Sequence, residues 1–356
     1  MSEPTPTEPE PTARKTPLFP PVPPEIRNIR IALAVVITAV ALYAPFYFDE
    51  TNNKIISQAL YLAIAAMGLN LLTGFNGQVS IGHGAFFGLG AFTSARLMAD
   101  YNWTFEATIP LVAVLTGVFG LLVGFPALRV RGLYLALVTL GLAVLFPQVA
   151  NKPLLKGDRA IALVQPKPSG FESLIDGLDD DQWKYYVCLV VLVVLFVAAW
   201  NLTRARPGRA MVAVREQELA AATQGVNLSV TKVATFAISA AYAGVAGSLS
   251  VMIDGLASAT NPAAYFQLSI EFLVALVIGG TATILGPVVG AFIVVILRRN
   301  TSDLIEGKEV LSPAIFGAAL IALVYLLPDG VVGGIRRLFA RVGQRRTSYE
   351  VATDTT

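Results

Sequence analysis

Residues 77–91 read GQVSIGHGAFFGLGA. Gly82, Gly84, Gly88 and Gly90 crowd one third of an apolar segment, and Gly84 and Gly88, four apart, share one helix face. Small residues at that spacing let helix backbones approach closely, the usual mode of helix association in lipid. Asn76, Gln78, Ser80 and His83 bring polar groups to the entry of the same segment. Two structures satisfy this pattern. One is a packing helix with a kinked, hydrogen-bonded start. The other is irregular backbone lining a cavity, which a membrane tolerates only where protein covers it. His83 is the single histidine of the chain. It cannot hold a metal alone and is expected to bond a neighbouring backbone or side chain.

The surrounding chain needs lipid as its solvent. Of 356 residues, 55% are hydrophobic and only 14% charged, against roughly 25% charged in soluble domains. Apolar runs mark ten candidate segments, roughly 29–48, 55–74, 79–98, 107–128, 132–150, 185–202, 233–253, 268–280, 283–298 and 311–327. The eighth and ninth, separated by GGTA, are either two spans meeting at a tight turn or one broken span. The expected fold class is therefore an all-α polytopic membrane protein of about ten transmembrane segments. The clusters Arg14–Arg30, Arg129–Arg131, Arg204–Arg215 and Arg336–Arg346 all fall on one side, which by the positive-inside rule is cytoplasmic and holds both termini. Arg298 and Arg299 break the rule by landing outside. Residues 1–28 form a proline-rich tail expected to be disordered, 29–330 the membrane domain with a polar loop at 203–232, and 331–356 a basic and then polar cytoplasmic tail.

Several function classes are excluded. A net charge of +2 argues against nucleic acid as a partner. A single cysteine, Cys188, leaves no disulfide framework or cysteine metal site, and its apolar surroundings make it a core residue. There is no phosphate loop, no H-E-x-x-H and no serine elbow. Nor is there an intramembrane series of ionisable residues such as proton-coupled carriers use. No catalytic residue, metal site or bound cofactor is expected, so transport by this chain must draw energy from elsewhere. Glu271, at the start of the eighth segment, either contacts a pathway or, at a span end, is solvated or caps neighbouring backbone donors. Asp254, at a span terminus, reads as interfacial polarity.

The charged passage RARPGRAMVAVREQELAAATQGVNL, residues 204–228, interrupts the oily chain. Pro207-Gly208 is expected to break the preceding span. Residues 209–224 have helix-forming composition, Gly225 suits the position closing that helix, and Asn227 and Ser229 suit the start of the next. Met211, Val214 and Glu218 share one helical face, and Arg215 and Leu219 are partners one turn apart. Such a helix either lies on lipid phosphates or fits into a cleft of a separate protein. Glu216, Glu218 and the alanine surface favour the cleft.

GQVSIGHGAFFGLGA resembles the signature of the branched-chain amino acid ABC transporter permeases, M-type subunit. GLYLALVTLG (132–141), SIEFLVALVIGG (269–280), GPVVGA (286–291) and the charged passage resemble further blocks of that family, in its order. The resemblance covers about residues 55–330 and distinguishes substrates poorly, since urea and short-amide importers look similar. It implies a type II-like ABC importer permease fold. It also implies a complex with a homologous H-type permease, two cytoplasmic ATPase subunits carrying ATP and Mg, and an extracytoplasmic substrate-binding protein. The setting implied is the cell inner membrane, with leucine, isoleucine or valine moved by alternating access. A stand-alone carrier or channel is the alternative from another class. Helix 209–224 would act as a rigid lever, with Arg209, Arg215, Glu216, Glu218, Ala220, Ala221 and Gly225 coupling it to the ATPase. Gly82, His83, Gly84, Gly88 and Glu271 would serve helix packing or the pathway. Two departures stand out. The family's E-A-A-x-x-x-G is degenerate, with Leu219 at the glutamate position and Glu218 one place early. Thr281-Ala282 replaces a Leu-Gly pair in the turn of GGTATILGP.

Overall fold

A computed structural model of the chain describes residues 36, 38–128, 132–150, 163–164, 179–261, 263–303, 317–318, 321–322, 325–326 and 330–334. The expected tail 1–28, most of the tail 331–356, the start of the first expected segment, most of the last, and Arg129 and Arg131 lie outside the described residues. Residues 330–334 are helical. The chain divides into two units, residues 1–47 and 48–356. In the first, residues 38–47 form helix α1, with Val40, Tyr43 and Phe46 exposed.

The second unit is built from helices. In chain order they are α2 (Glu50–Leu69), which continues into a π-helical turn (Asn70–Phe75), then α3 (His83–Tyr101), α4 (Phe105–Ala127), α5 (Leu133–Ala150) and α6 (Asp180–Arg204). The short helices α7 (Arg206–Glu216) and α8 (Glu218–Thr223) follow, then α9 (Leu228–Asp254), α10 (Ala264–Gly279) and α11 (Gly286–Asp303). A two-residue pairing of β1 (Leu163–Val164) with β2 (Ala257–Ser258) joins the chain before α6 to the chain after α9. Glu50–Phe75, Phe105–Pro126, Asp180–Arg204 and Leu228–Asp254 are long and apolar enough to cross a membrane, and α5 and α10 are apolar but shorter.

Helix α9 is the centre. Its sequence supplies Ala240, Ala243, Gly244, Ala246, Gly247 and Ser248 on almost every side, all buried. Small residues all round make a thin rod that other helices approach to backbone contact. A Cβ on Gly90 of α3 would overlap the Gly244 carbonyl, and one on Gly247 would overlap the Phe87 carbonyl. Gly120 of α4 faces Ala240, and Gly68 of α2 faces Tyr242. α2 and α9 are thus nearly enclosed, while α4 and α6 turn large apolar side chains outward. Val114, Val118, Leu122 and Phe125 of α4, and Val190, Val193, Val194 and Val197 of α6, are exposed. A surface of this kind is stable against acyl chains and costly against water. Cys188, on the inward side of α6, is buried as expected.

Three features differ from the sequence expectation or resolve it. Helix α3 begins at His83 rather than near residue 79. Gly77 has a left-handed φ of 75°, and the following amides bond elsewhere: Ile81 N–H to Thr139 Oγ1 at 3.0 Å and Gly82 N–H to Ser80 Oγ at 3.4 Å. The glycine-rich stretch therefore combines both anticipated structures, irregular backbone first and a closely packed helix after it. The eighth and ninth segments are two helices: α10 and α11 form an antiparallel hairpin, with Gly290 against the Ala275 carbonyl and Gly279 against Gly286. The single helix expected over 209–224 is two, broken at Gln217, whose φ and ψ of −159° and 106° are extended. Pro207 does not break the chain but sits in the first turn of α7, where its missing N–H leaves no gap. The break from α6 comes at Ala205.

The turn between α10 and α11 carries a strained residue. Ala282 has a φ of 57°, a left-handed conformation that costs a residue with a Cβ about 1–2 kcal/mol. Buried Asn70, in the π turn, holds it there: its Oδ1 accepts from Ala282 N–H at 3.0 Å and its Nδ2 donates to the Thr283 carbonyl at 2.7 Å. Gly74 leaves room for this contact, since a Cβ there would overlap the Asn70 side chain. The Thr281-Ala282 departure thus keeps the tight turn at the expense of local strain. We expect Ala282→Gly to stabilise the detergent-solubilised protein by about 1 kcal/mol, measured as a higher thermal unfolding midpoint. An unchanged or lower midpoint would show that the turn stores no such strain.

Candidate functional site

The expected coupling residues gather where α7 and α8 meet the end of α2 and the start of α9. Helix α7 is seated by Met211 and Val214, each 2% exposed, on the shared face read from the sequence. Gly208 packs directly on the Thr203 carbonyl, which sets the sharp change of direction after α6. Arg204 stays with α6, its guanidinium 3.8 Å from the Trp200 ring centroid. Arg209 is exposed and reaches only the Arg204 carbonyl, at 3.5 Å.

Arg215 does not pair with Leu219, because the break at Gln217 ends the helical register between them. Its Nη1 donates to the Gly74 carbonyl at 2.7 Å, and its Nη2 and Nε donate to Glu216 Oε1 at 2.6 and 3.2 Å. The side-chain stem lies on Gly77, where a Cβ would come within 2.7 Å of Arg215 Cγ. A carbonyl is free to accept at Gly74 because the helical run ends at Phe75 and its last carbonyls have no intrahelical partner. Glu218 is separated from the Met211–Val214 face and becomes the first residue of α8, where a carboxylate suits the helix dipole. It accepts from Lys232 Nζ of α9 at 2.5 Å. Ala221 is buried beneath α8, whereas Leu219, Ala220 and Gly225 are exposed. Gly225 has a φ of 81°, the left-handed closure expected after α8, and Asn227 Oδ1 caps α9 by accepting from Val230 N–H at 3.1 Å. Between these parts lies a cavity of about 270 Å³ lined by Asn76, Gln78, Arg215, Gln217, Glu218 and Lys232 among others. The buried Asn76 amide, on its wall, has no protein partner among the described residues.

The second group lies deeper. His83 joins three helices through a chain of hydroxyls: its Nδ1 is 3.0 Å from Ser80 Oγ and its Nε2 is 2.5 Å from Ser239 Oγ on α9. Ser239 Oγ donates to the Gly68 carbonyl of α2 at 2.5 Å. With that proton committed, Ser239 accepts from Nε2–H and Ser80 donates to Nδ1, so the consistent assignment is a neutral imidazole protonated on Nε2. Gly82 lies on the Thr139 carbonyl of α5, Gly84 on the Tyr265 carbonyl of α10, and Gly88 between the rings of Phe146 and Tyr265. Gly84 N–H also donates to Ser269 Oγ at 2.8 Å.

Glu271, 5% exposed, is not solvated. Arg298 Nη1 donates to it at 3.1 Å, and Arg298 Nη2 reaches Gln58 Oε1 at 3.4 Å. Arg299 bonds Asn52. The two arginines that broke the charge-sidedness pattern are thus spent on partners within the fold. Sequence reasoning missed Asn70, Gly74, Gly77, Ser239 and Lys232. For the first three the available signal was an amide and glycines interrupting an apolar run, LNLLTGFNG (69–77); Ser239 and Lys232 carried no such signal.

Comparisons with known proteins agree with this architecture. Residues 53–324 match the family model described as branched-chain amino acid transport system, permease component. The chain is 29% identical over 323 residues to the high-affinity branched-chain amino acid transport system permease protein LivM of Salmonella typhimurium, covering 84% of this chain and 74% of that protein. It is 26% identical over 309 residues to LivH of the same organism, 81% of this chain and 96% of that one. It is 25% identical over 325 residues to the ribose import permease protein RbsC of Haemophilus influenzae, 85% and 92% respectively. No solved structure matches the chain.

The glycine contacts differ in hardness, and that yields a ranking. A methyl on Gly84 meets backbone, which cannot move aside, whereas one on Gly88 meets ring edges that can rotate. Gly141 has open space around it. Gly84→Ala is expected to abolish monodisperse protein in detergent, Gly88→Ala to destabilise by about 1–3 kcal/mol, and Gly141→Ala to leave the protein as stable or up to about 1 kcal/mol more so by thermal unfolding. Equal behaviour of the three would contradict the close packing of α3 on α10.

Proposed function

The chain belongs to the family of permease components of branched-chain amino acid transport systems, and from that premise we propose that it is one membrane subunit of an ATP-driven importer of branched-chain amino acids. It sits in the inner membrane with both termini cytoplasmic and crosses about ten times. Its partners are a homologous H-type permease, two cytoplasmic ATPase subunits that hold ATP and Mg, and an extracytoplasmic binding protein that delivers the substrate. The similarity of this one chain to both LivM and LivH supports a pair of related permeases.

The observation that carries the mechanism is the tether from Arg215 to the Gly74 carbonyl. The exposed surface of α7 and α8, with Arg209, Glu216, Ala220 and Leu219 (77% exposed), is suited to a partner's cleft. Closure of the ATPase pair moves α7. Arg215 passes that displacement to the π turn, and Asn70 passes it from there to the α10–α11 hairpin. The lever is α7 alone rather than the whole of 209–224, because extended Gln217 lets α8 adjust independently. Such coupling requires an element with discrete alternatives, and a π turn that can re-register is one.

The expected result for Arg215→Ala, with the complete transporter reconstituted in vesicles, is leucine uptake reduced at least about tenfold, the scale of a lost charged hydrogen bond, with ATP hydrolysis retained. Arg209→Ala should leave uptake within about twofold, as befits an exposed charge. Loss of hydrolysis together with uptake would mean that Arg215 serves docking rather than transmission. A same-family importer of urea or short amides would show uptake competed by urea and not by leucine or valine. Solute flux without ATP or partners would establish a stand-alone carrier or channel instead.

A further inference from the structure

At the end of the bundle opposite α7 and α8 lies a second cavity, of about 370 Å³, between α2, α3, α9 and α10. That is near the lower end of the roughly 300–1,000 Å³ typical of small-molecule sites. Six of its lining residues matter: Lys54, Asp254, Phe87, Leu256, Tyr265 and Leu268. Its walls are rigid. Tyr265 donates its hydroxyl to the Ser258 carbonyl at 2.9 Å, its ring meets Phe146 edge-on at 5.0 Å, and Phe87 packs on Phe272 at 5.5 Å.

The cavity carries one group of each charge, Lys54 and Asp254. Gln58 Nε2 donates to Asp254 Oδ1 at 3.2 Å, which brings the end of α9 beside the start of α2. Asp254 is the last residue of α9, and that last turn contains no basic residue. A carboxylate there adds to the negative end of the helix dipole and calls for a cation. Lys54 stands five residues into α2, at the positive end of that helix. Among the described residues neither Lys54 nor Asp254 joins an ion pair, while nearby Glu271 is already taken by Arg298.

One positive and one negative group, set among apolar aromatic and leucine walls, match a zwitterion with an apolar side chain. We propose that this cavity is a binding station for the transported amino acid within the subunit, with its ammonium on Asp254 and the α9 terminus, its carboxylate on Lys54, and its branched side chain against Phe87, Tyr265 and the leucines. The inference rests on the importer reading. Neutral solutes such as urea or ribose would leave both charges unanswered, so the station selects against them.

The test uses the full chain purified in detergent and thermal unfolding at rising concentrations of L-leucine, isocaproate (the acid lacking the amine) and isoamylamine (the amine lacking the acid). Leucine is expected to raise the midpoint at concentrations about tenfold below either analogue, the scale of one charge-assisted hydrogen bond. Asp254→Asn should erase the preference over isocaproate, and Lys54→Gln the preference over isoamylamine. If a variant does not fold, the three-ligand series on the unaltered chain still decides. Equal potency of the three ligands, or no shift with any, overturns the station. Uptake by the complete transporter separates the two readings: leucine uptake undiminished in the Lys54→Gln, Asp254→Asn double variant also overturns the station while leaving the importer reading in place. Absence of leucine uptake by the unaltered transporter would defeat the importer reading itself.

Discussion

Backbone-to-backbone approach along α9 is the constraint on which the other contacts depend. In lipid, helices gain nothing by hiding apolar side chains from one another, so association needs close packing and hydrogen bonds. Gly90 and Gly247 let α3 press against α9 until carbonyls and main-chain atoms touch, and Gly244 receives the Thr116 side chain of α4. Only at that separation do the short hydroxyls bond across the interfaces. Ser94, Thr108 and Ser248 bridge α3, α4 and α9 at 2.8–3.3 Å, and His83 reaches both Ser80 and Ser239.

The same closeness makes room for irregular backbone. Residues 76–82 descend beside α9 without helical structure, and the helix that follows starts only at His83, level with Ser239. The backbone amides of Gln78, Ile81 and Gly82 are answered by Leu72, Thr139 and Ser80. Non-helical chain at such depth is tolerated because protein surrounds it. It also produces a corner in which the π turn, the irregular stretch and α7 all meet. Arg215 is the charged member of that corner, and its tether is directional because the guanidinium stem is confined by Gly77 as well as bonded at Gly74.

Charge is distributed by end. Around α7 and α8 the pairs are partly exposed, Arg215 with Glu216 and Lys232 with Glu218. At the far end Arg298 and Arg299 fold back on α2 and α10. Lys54 and Asp254, which line one cavity there, join no ion pair among the described residues.

Composition, run length and glycine spacing were enough to determine a helical membrane protein, the positions of α2, α4, α5, α6 and α9 to within a few residues, and a polar helical passage after α6. These follow from local rules: an apolar run of span length can only be a helix in lipid, and Gly225 and Asn227 carry their capping chemistry wherever they stand. The interruption at Gln217, the late start of α3, the left-handed Ala282 and the partners of Arg215, Glu271 and Arg298 were decided by the tertiary structure alone. Each depends on a group more than a helix away in sequence: Lys232 for Glu218, Thr139 for the amides before α3, Asn70 for Ala282, Gly74 for Arg215. Local propensity assigns a residue its secondary structure but not its distant partner, and in a core this dry the partner determines where a polar group can lie.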